Sequence, residues 1–121
     1  MRRKVLGNDH PQVASALTVK ANLLVATGQF EEALQVAREA RRILAVSLPD
    51  DHWQVAMARN VEGAALVGLG DYKDAEPLLL GSLDGLSGAP IADLPERGRA
   101  RLAELYTAWG KPDQARKYKD N

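Results

Sequence analysis

The side chains able to do acid–base or ligand chemistry fall at few places in this chain. His10 and His52 are the only histidines, and each sits among carboxylates: Asp9 beside the first, Asp50 and Asp51 beside the second. A His–Asp neighbourhood suits proton transfer or metal binding, but the spacing argues against both. The two histidines hold the same place in two copies of one sequence pattern. Stacked copies separate them by about two helix spacings of 8–10 Å, too far for shared ligation at about 2 Å per bond. Aspartate and histidine are also ordinary residues at a helix start, where the dipole is positive and N–H groups lack partners. The chain has no cysteine, which removes thiolate metal sites and cysteine nucleophiles. No Ser–His–Asp set, phosphate loop or dinucleotide fingerprint is present. These observations read as a protein that is not an enzyme and takes no cofactor and no metal.

Two arginines stand apart from this. Arg97 and Arg101 lie one helical turn apart, so their guanidinium groups can converge on a carboxylate. Arg38, Arg41 and Arg42 form a second basic stripe. Glu31, Glu32 and Glu39 share its helix at three- and four-residue spacings, so it reads as a solvated outer face.

The elements that position these residues repeat. Leu6-Gly7-Asn8-Asp9-His10-Pro11-Gln12-Val13-Ala14 returns forty-two positions later as Leu48-Pro49-Asp50-Asp51-His52-Trp53-Gln54-Val55-Ala56. The same offset carries Val19 to Val61, Leu24 to Leu66, Gly28 to Gly70, Phe30 to Tyr72 and Ala33 to Ala75. A looser third copy follows at an offset of forty: Ala103, Tyr106, Gly110 and Ala115 match Gly63, Leu66, Gly70 and Ala75.

Each copy predicts two helices and a tight turn. Val13, Ala14, Leu17, Ala21, Leu24 and Val25 recur at helical spacing. Gly28 supplies the positive φ that ends the first helix, and a second runs on from Phe30. Pro77 falls in the early turns of the fourth helix, where a local distortion is expected. The stretch from Gly85 to Pro90 reads as a loop, and a short helix from Pro112 to about Lys119 closes the chain. Ala21, Gly63 and Ala103, then Ala33, Ala75 and Ala115, mark helix crossings where larger side chains would overpack. Trp53 and Trp109 read as covers over the seams between copies.

This pattern resembles the tetratricopeptide repeat, in the longer kinesin-light-chain variety. The resemblance rests on the small residue of the first helix (Ala21, Gly63, Ala103), the larger one three later (Leu24, Leu66, Tyr106), the turns at Gly28, Gly70 and Gly110, and the alanine five residues beyond each glycine. It departs where the family's usual tryptophan is replaced by Leu17, Arg59 and Arg99, and where Pro112 replaces the turn aromatic. The resemblance implies an all-α fold, a right-handed α–α superhelix (solenoid) of about three helix-turn-helix repeats. One domain then spans 1–121: 1–7 the tail of a preceding repeat, 8–49 repeat 1, 50–90 repeat 2, and 91–121 a partial third repeat or C-terminal cap. It also implies a concave groove lined by the first helices, with Thr18, Asn22, Asn60, Arg97, Arg101 and Glu104 as the peptide-binding residues. Asn22 and Asn60 would bond a peptide backbone as donor and acceptor. Asp51-His52-Trp53, the segment Tyr72 to Leu80 and the segment Leu105 to Pro112 are similar to repeat arrays attached to some bacterial serine/threonine protein kinases, although no kinase motif is present.

Composition narrows the partners. Sixteen basic and sixteen acidic residues give a formal net charge of zero, so there is no electrostatic case for nucleic acid or an anionic membrane. No stretch approaches the roughly 20 apolar residues of a membrane span. The absence of cysteine fits a reducing cytoplasm. The expected function is a non-catalytic protein–protein interaction module within a longer repeat protein, binding a peptide or partner protein in its groove. The alternative is a structural module that self-associates into a homo-oligomer through exposed repeat ends, for instance as the C-terminal region of a bacterial kinase.

Overall fold

A computed structural model describes residues 11–49, 52–87 and 94–119. The described residues form six helices: α1 (Pro11–Ala26), α2 (Phe30–Ser47), α3 (Trp53–Gly68), α4 (Tyr72–Ser87), α5 (Leu94–Ala108) and α6 (Pro112–Lys119). No strand occurs among them. The chain is an all-α helical repeat array. The expected tail at 1–7, the residues Asp9, His10, Asp50 and Asp51 read as helix caps, and residues 88–90 of the expected loop lie outside the described residues; Gly85, Leu86 and Ser87, read as the start of that loop, instead close α4.

Three glycines set the turns. Gly28, Gly70 and Gly110 have φ of 81°, 83° and 79°, and no other described residue has a positive φ. At each, two backbone bonds close the helix end. Gly28 N–H donates to Val25 O at 3.1 Å and Gln29 N–H to Leu24 O at 2.8 Å. Asp71 N–H to Leu66 O and Lys111 N–H to Tyr106 O repeat that second bond at 2.8 Å. This is the Schellman closure, which needs a left-handed residue. Space is not the constraint, since a Cβ at Gly28, Gly70 or Gly110 would meet nothing within 4 Å.

The crossing residues behave as their size requires. Ala21, Ala33, Ala75, Ala103 and Ala115 are buried. A Cβ added at Gly63 would lie 2.7 Å from Leu79 Cγ, so only hydrogen lets α3 and α4 approach there. Pro77 is exposed within α4, and the helix runs through it without a break.

Two seams join the helix pairs. Val55 and Ala58 of α3 pack on Ala14, Ala40, Ile43 and Leu44 of the first pair. Leu102, Leu105 and Tyr106 of α5 pack on Leu66, Ala75 and Leu79 of the second. Among the described residues the backbone of α1 comes close to that of α3, and α3 to α5, whereas the backbones of the second helices stay farther apart. The first helices therefore line one continuous face, and the second helices splay apart behind it.

Candidate functional site

The face lined by α1, α3 and α5 holds the polar residues singled out in the sequence. Asn22 comes from α1, Asn60 from α3 and Arg101 from α5. One guanidinium joins all three helices. Arg101 Nη1 donates to Asn60 Oδ1 at 3.0 Å, and Nη2 donates to Asn22 Oδ1 at 2.5 Å. Asn60 passes the network on through Nδ2, which donates to Ser82 Oγ at 3.3 Å. Ser82, fully buried on α4, donates in turn to Leu79 O at 2.8 Å. A single hydrogen-bonded chain thus runs through four helices.

The charge at its centre has neutral partners. Among the described residues no carboxylate lies within ion-pair distance of Arg101. Burial pulls the Arg101 pKa below its ordinary value; Glu104 works against this and Arg97 adds to it. The group stays protonated, because an arginine starts so far above neutrality. Beside it opens a groove of about 460 Å³ with an apolar floor of Val25, Phe30 and Val67 and a charged wall of Arg97, Arg101 and Glu104. Gly68 makes room for the floor, since a Cβ there would clash with the Phe30 ring.

Arg97 and Glu104 are exposed at this groove. Thr18 and Asn60 lie deeper than the sequence alone indicates. Thr18 is buried, and its hydroxyl proton is donated to Ala14 O at 2.9 Å. Asn60 is also buried, with its carbonyl and amide both used inside the protein. It holds Arg101 and is not among the residues that line the groove.

The outer face carries a charged cluster that the sequence did not announce. Glu62 of α3 is 3% exposed. Its carboxylate oxygens lie 3.1 Å from Arg38 Nε and 3.2 Å from Arg41 Nε, both on α2. The contact to Arg41 is ionic only, because Glu62 Oε1 makes no hydrogen bond. Of the basic stripe, Arg42 alone pairs along its own helix as the spacing predicts, with Glu39 at 2.6 Å. Its hydrogen bond holds the exposed Glu39 carboxyl below the usual range.

His52 caps α3, its Nδ1 accepting from Gln54 N–H at 3.1 Å. Both tryptophans pack at seams. Trp53 lies against Ala56 and Leu86, and Trp109 stacks with Tyr106 and sits beside Tyr72. Tyr106 donates to Glu76 Oε2 at 2.7 Å, tying α5 to α4. Among the described residues no group of three or more His, Cys, Asp or Glu could hold a metal ion, and no helix is long and apolar enough to cross a membrane.

Sequence reasoning missed Ser82, Gln54 and Glu62. Gln54 Nε2 donates to Ser15 Oγ at 2.8 Å, joining α3 to α1. The one available signal was Glu62 itself, a charge set between Val61 and Gly63 on the face that the repeat assigns to packing. Residues 13–54, one full period of the pattern, match the model of the tetratricopeptide repeat family. A search of curated proteins finds no match.

Proposed function

We infer that this chain, a tetratricopeptide repeat protein, is a non-catalytic module that holds an anionic segment of a partner protein on the face lined by α1, α3 and α5. Repeats of this family generally mediate protein–protein interaction. The observation that carries the finer reading is the Arg101 guanidinium, fixed by two neutral amide oxygens and without a carboxylate partner among the described residues. A cation held this way is already ordered, so a ligand carboxylate gains a charge-assisted bond without bearing the cost of freezing the side chain. Arg97, one turn away, adds a second positive charge. The apolar floor of Val25, Phe30 and Val67 takes the flanking side chains.

The test is a titration of isotopically labelled protein followed by NMR. One probe is the N-acetylated peptide Ala-Leu-Glu-Glu-Asp with a free carboxyl terminus; the other is its amidated Ala-Leu-Gln-Gln-Asn counterpart. The acidic probe is expected to move the Asn22 side-chain amide and Arg101 Nε signals, and the neutral one is not. Arg101→Met removes the response, and Arg97→Ala weakens it. Equal responses to both peptides, or shifts confined to the Arg38–Arg41 face, would show the groove assignment to be wrong.

A further inference from the structure

The same seat is filled twice inside the molecule. The pair α1/α2 receives α3, and the pair α3/α4 receives α5. On α1 the receiving positions include Ala14 and Ala21, buried against Val55, Ala58 and Val61 of α3. The positions in register on α5 are Glu96 and Ala103. With Ala100, Thr107, Ala108 and Tyr118 they line a cavity of about 680 Å³ between α5 and α6. No described helix enters it.

The opposite end carries the matching face. The α3 residues that enter the first seat include Ala58, Val61, Glu62 and Ala65, all buried. Forty-two positions earlier α1 carries Ala16, Val19, Lys20 and Leu23, and all four are exposed, Val19 at 56% and Leu23 at 62%. Among the described helices, α1 thus presents an apolar ridge, and α5 and α6 enclose a cavity whose walls include Ala100, Ala103, Ala108 and Tyr118.

The charges fit as well. Lys20 is the only charged residue of α1, and the cavity bears the exposed carboxylates Glu96 and Glu104 beside Arg99, whose guanidinium is turned to Lys117 O and the Tyr118 ring. At the internal seam Glu62 of the entering helix meets Arg38 of the receiving pair. In register, Lys20 stands where Glu62 stands, with the opposite sign of charge.

We propose that α1 of a second copy seats in the α5/α6 cavity, so that copies of this chain add head to tail. The contact joins two different surfaces. It is heterologous, and it builds open chains or closed rings in place of a two-fold dimer. The seat shares Ala100 and Glu104 with the groove, but Leu23 and Thr107, the positions tested below, lie outside the groove that Arg101 borders.

Sedimentation velocity of the full chain over a wide concentration range tests this. The wild-type mean mass is expected to rise past that of a dimer. Leu23→Asp removes the head and Thr107→Arg blocks the tail, so each variant alone sediments as a monomer. An equimolar mixture still has one intact head and one intact tail, and it forms a dimer that grows no further. Both positions are exposed, so helicity by circular dichroism should be unchanged. Lys20→Glu is a second head variant that alters only surface charge, and it lowers the association in the same direction. A wild type that stays monomeric at every concentration, a plateau at a dimer, or a mixture of the two variants that remains monomeric would each overturn the proposal.

Discussion

Glu62 and Arg101 are both charged residues drawn into the array from first helices, and the protein treats them in opposite ways. Glu62 faces the second helices and is met by two guanidinium groups, those of Arg38 and Arg41. Arg101 faces the groove and is met by two neutral amides. The first arrangement is electrostatically closed, because the anion already has more positive charge around it than it needs. The second is open: its hydrogen bonds fix the cation in place without neutralising it. Burial alone therefore does not separate a structural charge from one suited to binding. The charge of the partners does.

Three experiments break or sharpen that contrast. The largest effect is expected from Arg38→Met combined with Arg41→Met. This strips the ionic partners from a buried carboxylate, which should cost about 3–5 kcal/mol of stability, read as a lower midpoint in urea denaturation. If the double variant costs no more than Arg101→Met, the closed and open arrangements are not energetically distinct.

Arg101→Met should cost less, about 1–2 kcal/mol. It leaves Asn60 Oδ1 buried without a donor, but it also removes a cation that burial disfavours. Its main effect should be on the acidic peptide, whose affinity falls while that for the neutral peptide does not change. A stability loss as large as that of the double variant, with peptide binding intact, would make Arg101 structural.

The smallest effect is expected from Tyr106→Phe, at about 1 kcal/mol for one seam hydrogen bond, and it has a pH signature. Burial, and then the bond to Glu76, hold the Tyr106 pKa well above its ordinary value. An unfolded tyrosine ionises near pH 10, so the folded state keeps its full advantage below about pH 10 and loses it progressively above. Wild type should lose stability through this alkaline window more steeply than Tyr106→Phe. Parallel curves would mean that the phenol is not held neutral by the fold.

Much of the architecture was legible before any coordinates. The helix ends at Gly28, Gly70 and Gly110 followed from a residue type that alone adopts positive φ without strain. The crossings at Ala21, Gly63 and Ala103 followed from size. His52 as a helix cap followed from its place before α3. The site was only partly legible. The period placed Asn22, Asn60 and Arg101 on first helices, but it also placed Thr18 there and gave no sign that this hydroxyl turns back to Ala14 O. Helical spacing reports the side of a helix on which a residue lies, not its depth beneath the neighbouring helix.

The sequence by itself determined the beat of the array, because turns and close crossings depend on local properties: backbone freedom at glycine and the size of a single side chain. Only the tertiary structure decided which polar groups meet. Arg101 reaches Asn60 across 41 residues and Asn22 across 79, and these three do not occupy equivalent places in the repeat, so no self-comparison could pair them. Glu62 likewise finds Arg38 and Arg41 on a neighbouring helix pair, whereas spacing along one helix had offered them Glu31, Glu32 and Glu39. Long side chains choose partners by reach and by the solvent they lose, and both are set by how the helices pack.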